Sequence, residues 1–385
     1  MIGNHARTTT HRLARLAALA VVLAVLAACG QADHQPDAAG TPPPTSAAAT
    51  SPAPTPLGSV KATATTTPPN DPGRPVRLAF AGDVHFAGFL ASRLNDPATA
   101  IGPMGAILSQ ADLAMVNLET AVTTRGTPQS KQYAFRAPPA AFTALKAAGV
   151  DVVTMANNHA LDYGPHSVPD ALSAADRVGM PVVGLGMNTR QAYAPWITTI
   201  KGQRIAFLAA SAVIDPALVS SWSAGHGHPG VATAIDGHNA ALVAAVTAVR
   251  PHVDTVVVNL HYGKDLTPCP TRTQRTLAHD LVTAGADIVV GQHAHILLGG
   301  GYRGSAYIDY GLGNFEFYAT GTGPTTDTGV LLLTADGRHI TNPQWVPGRI
   351  VNGLPTPTTS IDTTHASDTW QRLRRCTGLN TTSTP

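Results

Sequence analysis

The middle of the chain alternates short apolar runs with helical patterns. Several runs are rich in valine and isoleucine and lack regular polar alternation, as in V-D-V-V-T-M and A-D-I-V-V-G. Runs of this kind are typical of strands that are buried on both faces. The predicted strands are residues 76–81, 111–116, 150–155, 180–185, 204–210, 254–260, 286–291 and 306–310.

Helical patterns lie between several of these strands. One of them begins at Thr271 and ends at Gly285, and threonine caps and terminal glycines are common helix boundaries. Residues 197–210 carry K-G-Q between two apolar runs, which predicts a β-hairpin. Strands alternating with helices, together with a hairpin, predict an α/β domain with mixed sheets and outer helix layers. The predicted helices are residues 139–149, 238–250 and 271–285.

The start of the chain has the layout of a secretory signal. Arg7, Arg12 and Arg15 precede a short apolar run that ends in L-A-A-C at Cys29. This ending resembles a bacterial lipobox, in which the cysteine thiol receives diacylglycerol. We therefore expect a lipoprotein signal peptide over residues 1–28 and an extracytoplasmic protein that is lipid-anchored to the cell membrane. An ordinary signal peptide or an uncleaved anchor is the alternative.

Composition divides the rest of the chain into three parts. Residues 29–75 are mostly Pro, Thr and Ala, and we predict a disordered tether because such a segment buries too little apolar surface to offset its ordering entropy. Residues 76–354 are the predicted globular domain, long enough for one large core. Residues 355–385 are predicted as a Thr-rich tail, in which residues 370–376 are a candidate for docking on the domain as a short helix.

Charge and cysteine content limit the partners. The formal net charge is only +2, and no basic stripe with interleaved aromatic residues is present, so we do not expect a nucleic acid partner. With Cys29 lipidated, Cys269 and Cys376 remain as a candidate disulfide pair, which an exported protein can keep. Two separate thiols are the alternative, because the sequence alone does not place them within bonding distance.

Residues that can bind metal ions follow the ends of six separate strand-like runs. In open α/β sheets, sites form outside the carboxyl ends of the strands, so we expect these side chains to converge. Carboxylate, imidazole and amide oxygen donors suit Mn²⁺, Zn²⁺ or Fe²⁺. Their number exceeds the needs of one ion, which predicts two divalent transition-metal ions that share a carboxylate. The residues are Asp83, His85, Glu119, Asn158, His159, Asp162, His261, His293, His295 and Asn314.

Each block has a simpler interpretation when it is taken alone. Asp83 could cap a helix, Glu119 could be a solvated loop residue, and His261 could be a buried core histidine. The occurrence of all the blocks in one chain favours the metal centre. Lys131 follows the second block in Q-S-K-Q-Y-A-F-R, where a solvated loop is expected rather than a contact to an anionic substrate.

Taken in order, the blocks resemble those of calcineurin-like metallophosphoesterases. Where those proteins normally carry a bridging aspartate, this chain has N-L-E with Glu119. That difference, with A-N-N-H-A-L-D-Y-G, H-Y-G-K-D and G-Q-H-A-H, makes the chain similar to the CapA family of poly-γ-glutamate capsule proteins. The resemblance covers residues 76–318 and implies a metallophosphatase-like four-layer α/β/β/α sandwich with mixed sheets.

The resemblance also implies a role for each residue. His159 would face the substrate as an acid or an oxyanion clamp, and Asp162 would orient it. Asp265, which stands where a glutamate is common, and Asn314 would orient metal-binding rings. Glu119 would bridge two ions, one held by Asp83, His85 and His295 and the other held by Asn158, His261 and His293.

The implied function is a surface lipoprotein role in poly-γ-glutamate capsule or cell-envelope polymer biosynthesis, with two-metal hydrolysis as its chemistry. The implied partners are capsule synthesis or export proteins, or poly-γ-glutamate itself. One alternative is a non-catalytic binding or scaffold subunit of a capsule complex, and another is a free-standing extracytoplasmic phosphoesterase. Poly-γ-glutamate is joined by amide bonds, so a phosphatase reaction would not act on it directly.

Overall fold

A computed structural model describes residues 74–235 and 238–384. The predicted signal peptide, Cys29 and nearly all of the predicted tether lie outside the described residues. In the described part of the chain, no helix combines the length and the apolar character needed to cross a bilayer.

The strands come in the order that the apolar runs predict, with additional two-residue strands between them and further strands near the C-terminus. They are β1 Val76–Val84, β2 Leu113–Leu118, β3 Ala121–Val122, β4 Arg136–Ala137, β5 Val152–Thr154, β6 Val182–Val183, β7 Leu185–Gly186, β8 Trp196–Ile200, β9 Gln203–Ser211, β10 Gly230–Val231, β11 Thr255–Tyr262, β12 Ile288–His293, β13 Gly300–Arg303, β14 Ala306–Asp309, β15 Asn314–Glu316, β16 Asp327–Asp336, β17 His339–Val351 and β18 Leu354–Pro357.

Helices connect many of these strands. The α-helices are α1 Gly105–Leu108, α2 Ala140–Ala147, α3 Ser167–Val178, α4 Thr189–Ala192, α5 Val219–Trp222, α6 Ala240–Val249, α7 Arg272–Ala284 and α8 Ser360–Leu373, and Gly88–Asn95, Arg250–His252 and Arg374–Cys376 form 3₁₀ turns. Helix α7 begins with a capping box in which Thr271 and Gln274 each accept the other's backbone N–H, and it ends at left-handed Gly285.

Two large sheets carry the fold, and both are mixed. The first has the order β18-β17-β16-β1-β2-β5-β6, with β15 pairing the end of β1, and the second has the order β13-β14-β12-β11-β9-β8. Strands β1, β2, β5 and β6 are parallel in the first sheet, and β9, β11, β12 and β14 are parallel in the second. The predicted hairpin is confirmed as the antiparallel pair β8–β9.

Three buried clusters define the layers. Phe80 and Met115 of the first sheet pack with Phe207 and Val257 of the second, which makes the central core between the sheets. The outer face of the first sheet packs on α2 and α3, and the outer face of the second packs on α6 and α7. The result is the expected α/β/β/α metallophosphatase-like sandwich.

The segment that the sequence predicts as a tail is folded onto the domain. Strand β18 extends the first sheet beside β17, and α8 follows it. Trp370 of α8 is buried and stacks on Trp345 with ring centroids 5.8 Å apart. The structure joins Cys269 and Cys376 in a disulfide bond, with Cα atoms 5.7 Å apart. The C-terminal segment therefore packs as part of the domain, because Trp370 and the disulfide hold it there.

Candidate metal centre

The two sheets bring their strand ends together. In the first sheet, Asp83 at the end of β1 lies in register with Asn117 of β2 and Asn314 of β15. In the second sheet, His293 at the end of β12 lies beside the end of β11. The backbone N–H of His293 donates to Asp83 Oδ2 at 3.1 Å, which links the two sheets directly. The crevice at the carboxyl ends of the strands is therefore shared by both sheets.

Three groups of ligand atoms form in this crevice, and in each group the atoms lie within 4.8 Å of one another. One contains Asp83, Glu119 and His295, and another contains Glu119, His261 and His293. The third contains Asp265 with the two histidines of the H-A-H block. Glu119 is shared by the first two groups, which is the position a bridging carboxylate would occupy.

Glu119 lies fully buried at the centre of the crevice. Its Oε1 is 3.3 Å from His261 Nε2 and 3.9 Å from His159 Nε2, yet neither carboxylate oxygen has a hydrogen-bond partner among the described residues. A buried carboxylate without donors is unfavourable unless a positive charge compensates it. These residues therefore fit a bound divalent cation.

The electrostatics of the crevice keep Glu119 anionic. Burial by itself would raise the pKa of Glu119, but His295, His261 and His159 hold it below its usual range. Burial and the charge of Glu119 raise the pKa of Asp83 to about 6. The negative charge of Glu119 therefore opposes the ionisation of Asp83, and a cation bound by both carboxylates would offset this repulsion.

Two buried histidines are held neutral, the form that binds metal. Burial lowers the pKa of His85 to about 3 and lowers that of His293 well below its usual value. For His295, burial acts in the same direction but is outweighed by Glu119 and Asp83, which raise its pKa.

The backbone of the H-A-H block is strained. His293 has φ 92° and His295 has φ 55°, both in the left-handed region that favours glycine. Strained backbone at residues other than glycine is concentrated at functional sites, where surrounding contacts compensate its cost.

The A-N-N-H block places two further groups at the crevice. Asn158 Oδ1 lies 2.7 Å from His261 Nε2, and the ring of His159 lies with Nδ1 2.6 Å from Asp162 Oδ2. This leaves His159 Nε2 facing Glu119. Asn157, which was not predicted to have a role, supports the block by donating to Asn117 Oδ1 at 3.0 Å and to the Leu118 carbonyl at 2.9 Å.

Asp265 and Asn314 lie against the rings that they were predicted to orient. Asp265 Oδ1 is 3.0 Å from His293 Nε2, while His293 Nδ1 is buried without a hydrogen-bond partner among the described residues. Asn314 Oδ1 is 2.9 Å from His295 Nδ1. Asp265 also belongs to one of the ligand groups, so its geometry suits either direct coordination or orientation of His293.

His85 is held differently from the other predicted ligands, because it belongs to none of the three groups found in the described part of the chain. Its Nδ1 accepts the backbone N–H of Ala87 at 3.0 Å. The ring stacks on Phe135 at a centroid distance of 4.5 Å and meets Phe317 edge-on at 4.2 Å. Its role as a metal ligand stays a prediction.

A cleft of about 530 Å³ opens beside the crevice, and Asn158, His159, Asp265 and His293 line it. Lys131 lines it too, and the expectation of a solvated loop is wrong for this residue, since only 9% of its side chain is exposed. No local sequence signal marks this burial, because its ionic partner Asp162 is 31 residues further along the chain.

The comparisons with known proteins find relatives among capsule biosynthesis proteins. The chain is 33% identical over 223 residues to the capsule biosynthesis protein CapA of Bacillus anthracis, covering 56% of this chain and 52% of that protein. The chain therefore spans about half the length of that relative. It is also 27% identical over 341 residues to a probable polyglutamine synthesis accessory protein of Mycobacterium tuberculosis, covering 82% of this chain and 88% of that one.

Among solved structures, the chain is similar to a phosphatase from Mycoplasma pneumoniae, with a TM-score of 0.45 and 13% identity over 74% of this chain and 95% of that one. The model of the bacterial capsule synthesis protein family PGA_cap matches residues 77–319, which contain every predicted metal ligand. Because this match spans more than half of the chain, the chain belongs to the bacterial capsule synthesis protein family PGA_cap.

Proposed function

We propose that this protein acts in the synthesis of a poly-γ-glutamate capsule or a related cell-envelope polymer, and that it does so as a two-metal hydrolase. Membership of the capsule synthesis family and the names of the Bacillus and Mycobacterium relatives support the pathway. The proposed hydrolase activity rests on the environment of Glu119. This buried carboxylate has no hydrogen-bond partner among the described residues and is surrounded by histidines from the second sheet.

The geometry supports one assignment of the two ions. Asp83 and His295 would hold one ion and His261 and His293 the other, with Glu119 between them, because these are the two groups that share Glu119. Asn158 would complete the second group, since its Oδ1 already lies 2.7 Å from His261 Nε2. Two such ions would lower the pKa of a water and stabilise negative charge on the attacked centre.

His159 would act on the substrate from the cleft side. Its Nε2 faces the centre, and its Nδ1 is held by Asp162 at 2.6 Å. A carboxylate on Nδ1 fixes the ring, and when both ring nitrogens carry a proton, Nε2 would give its proton to the leaving oxygen.

The proposal includes the location of the protein at the outer face of the cell membrane, attached through lipid at Cys29. The L-A-A-C sequence after a charged and then apolar segment supports it. Incorporation of labelled palmitate in cells, with loss of the label in Cys29→Ser, tests this location.

Metal analysis of the purified full chain tests the dinuclear centre. After loading with Mn²⁺ or Zn²⁺ and removal of free metal, we expect close to two ions per chain by elemental analysis. His293→Ala should lose at least one of them, because it removes a ligand from the second group. His279→Ala, which changes an exposed histidine of α7, is the matched control and should keep both ions. A chain that retains no metal after loading would leave a binding or scaffold role in capsule assembly instead.

A further inference from the structure

The Lys131 side chain is only 9% exposed, although the two residues that follow it are exposed. It lies between β3 and β4, where the next residues include Tyr133 with 54% of its surface exposed. The Lys131 ammonium contacts Asp162 Oδ1 at 2.5 Å and donates to the carbonyl oxygen of Asn158. It also stands 4.8 Å from the ring centre of buried Trp222, in a cation–π arrangement.

The partners of Lys131 are the same residues that the proposed mechanism uses. Asp162 accepts Lys131 at Oδ1, while its Oδ2 meets His159 Nδ1 at 2.6 Å and accepts the Phe135 N–H at 2.7 Å. Asn158, whose carbonyl receives the second donation, reaches His261 with its side chain. The Lys131 ammonium group therefore links the His159–Asp162 pair to Asn158, a proposed metal ligand.

The position of Lys131 favours the protein rather than a substrate as its partner. A lysine ammonium has three donors, and here two are taken by Asp162 and Asn158 while an aromatic ring covers part of the remainder. Asp162 is fully buried, so loss of the lysine would remove the ammonium group that contacts its Oδ1 and leave only the partners of Oδ2.

We propose that Lys131 is a positioning residue of the metal centre, which fixes Asn158 and the His159–Asp162 pair relative to each other. The inference rests on the proposed two-metal function. It predicts a specific pattern, in which loss of the lysine weakens the ion held by Asn158 and His261 and spares the ion held by Asp83 and His295.

Calorimetric titration of Mn²⁺ into the metal-free full chain tests this pattern. Lys131→Met keeps the length of the side chain and removes its charge and donors. We expect one of the two ions to bind about 10- to 100-fold more weakly, the usual effect of losing a group that orients a ligand. The other ion should bind as in the wild type.

Lys201→Met is the matched control. Lys201 forms an ion pair with Asp112 at the same N–O distance of 2.5 Å, but on the surface and away from the crevice. Both Mn²⁺ affinities should stay at their wild-type values in this variant, because no ligand depends on that pair.

A second variant keeps the inference testable if Lys131→Met does not fold. Lys131→Gln keeps one donor group without the charge, and we expect it to weaken the same ion by less than the methionine variant does. If Lys131→Met fails to fold, weaker binding of one ion in Lys131→Gln supports the inference, and two unchanged affinities overturn it. A wild type that binds no Mn²⁺ overturns the proposed function itself, whereas two ions bound equally well by wild type and Lys131→Met overturn only the role of Lys131.

Discussion

At the scale of single residues, the centre depends on buried groups that the protein alone does not satisfy. Glu119 has two buried oxygens without donors among the described residues, and burial leaves His293 Nδ1 without a partner as well. Most buried polar atoms in proteins are hydrogen-bonded, so several unpaired ones within one crevice indicate a missing partner. A pair of cations would satisfy them together.

Replacement of His159 by alanine should separate metal binding from hydrolysis. His159→Ala should keep two bound ions, because the ring is not among the proposed ligands. Hydrolysis of a chromogenic phosphodiester by the Mn²⁺-loaded protein should fall about 10²- to 10⁴-fold, the usual contribution of a general acid. Initial rates with parallel elemental analysis measure both effects, and His279→Ala is the control that should retain the wild-type rate. Turnover equal to the wild type would remove His159 from the mechanism.

At the scale of elements, the end of β1 is held against the turn before β15. Asp83 N–H donates to the Gly313 carbonyl at 2.9 Å, and this contact sets Asp83 beside Asn314. The approach requires a glycine at position 82, because a Cβ there would lie 2.0 Å from the Gly313 oxygen. A close backbone contact between two elements thus positions two site residues.

Gly82→Ala should therefore loosen the centre through the backbone. The added methyl group would push β1 away from the turn, and we expect a loss of about 1–3 kcal/mol in the free energy of unfolding. The ion assigned to Asp83 and His295 should bind more weakly, as measured by Mn²⁺ titration beside urea unfolding. Gly227→Ala is the matched control, since a Cβ there would meet nothing within 4 Å. If Gly82→Ala kept the wild-type stability and metal affinity, the turn at Gly313 would be able to move without disturbing the fold or the metal site.

At the scale of the whole molecule, the C-terminal segment is bound to the domain by several contacts. The disulfide between Cys269 and Cys376 spans 107 positions of the sequence, and Arg275 donates to the Cys376 carbonyl at 2.8 Å. The disulfide also begins only four residues after Asp265, so it ties the C-terminal segment close to the loop at the crevice.

Removal of this disulfide should destabilise the whole domain. Replacing Cys269 and Cys376 by serine in the full chain should lower the free energy of unfolding by about 2–5 kcal/mol, because the cross-link restricts a long loop of the unfolded chain. Urea unfolding of the oxidised wild type and of the double variant measures the difference. Reduced wild type serves as the control and should unfold with the double variant. Coincident curves for oxidised and reduced wild type would contradict the stabilising role.

The sequence predicts the parallel centre of both sheets because those strands are buried on both faces and carry long apolar runs. The predicted strands leave out β16, although its V-L-L-L run is apolar. They also leave out β17, since it holds Pro343 and Pro347 and alternates irregularly between buried and exposed positions. Helix α3 is also missed, because alanines make up much of its buried face and give a weak apolar signal. Trp370 is noticed only within a predicted tail, because nothing local shows that Trp345 faces it.

By itself, the sequence determined the strand–helix alternation, the family resemblance and the candidate metal-binding blocks, because each of these is a pattern of residues that are near one another in the chain. The tertiary structure decided which of the blocks share Glu119, that His85 is stacked among aromatic rings, and that Lys131 pairs with Asp162. These depend on side chains from separate strands and loops meeting in three dimensions. Contacts of that kind do not produce a periodic pattern of residues in the sequence.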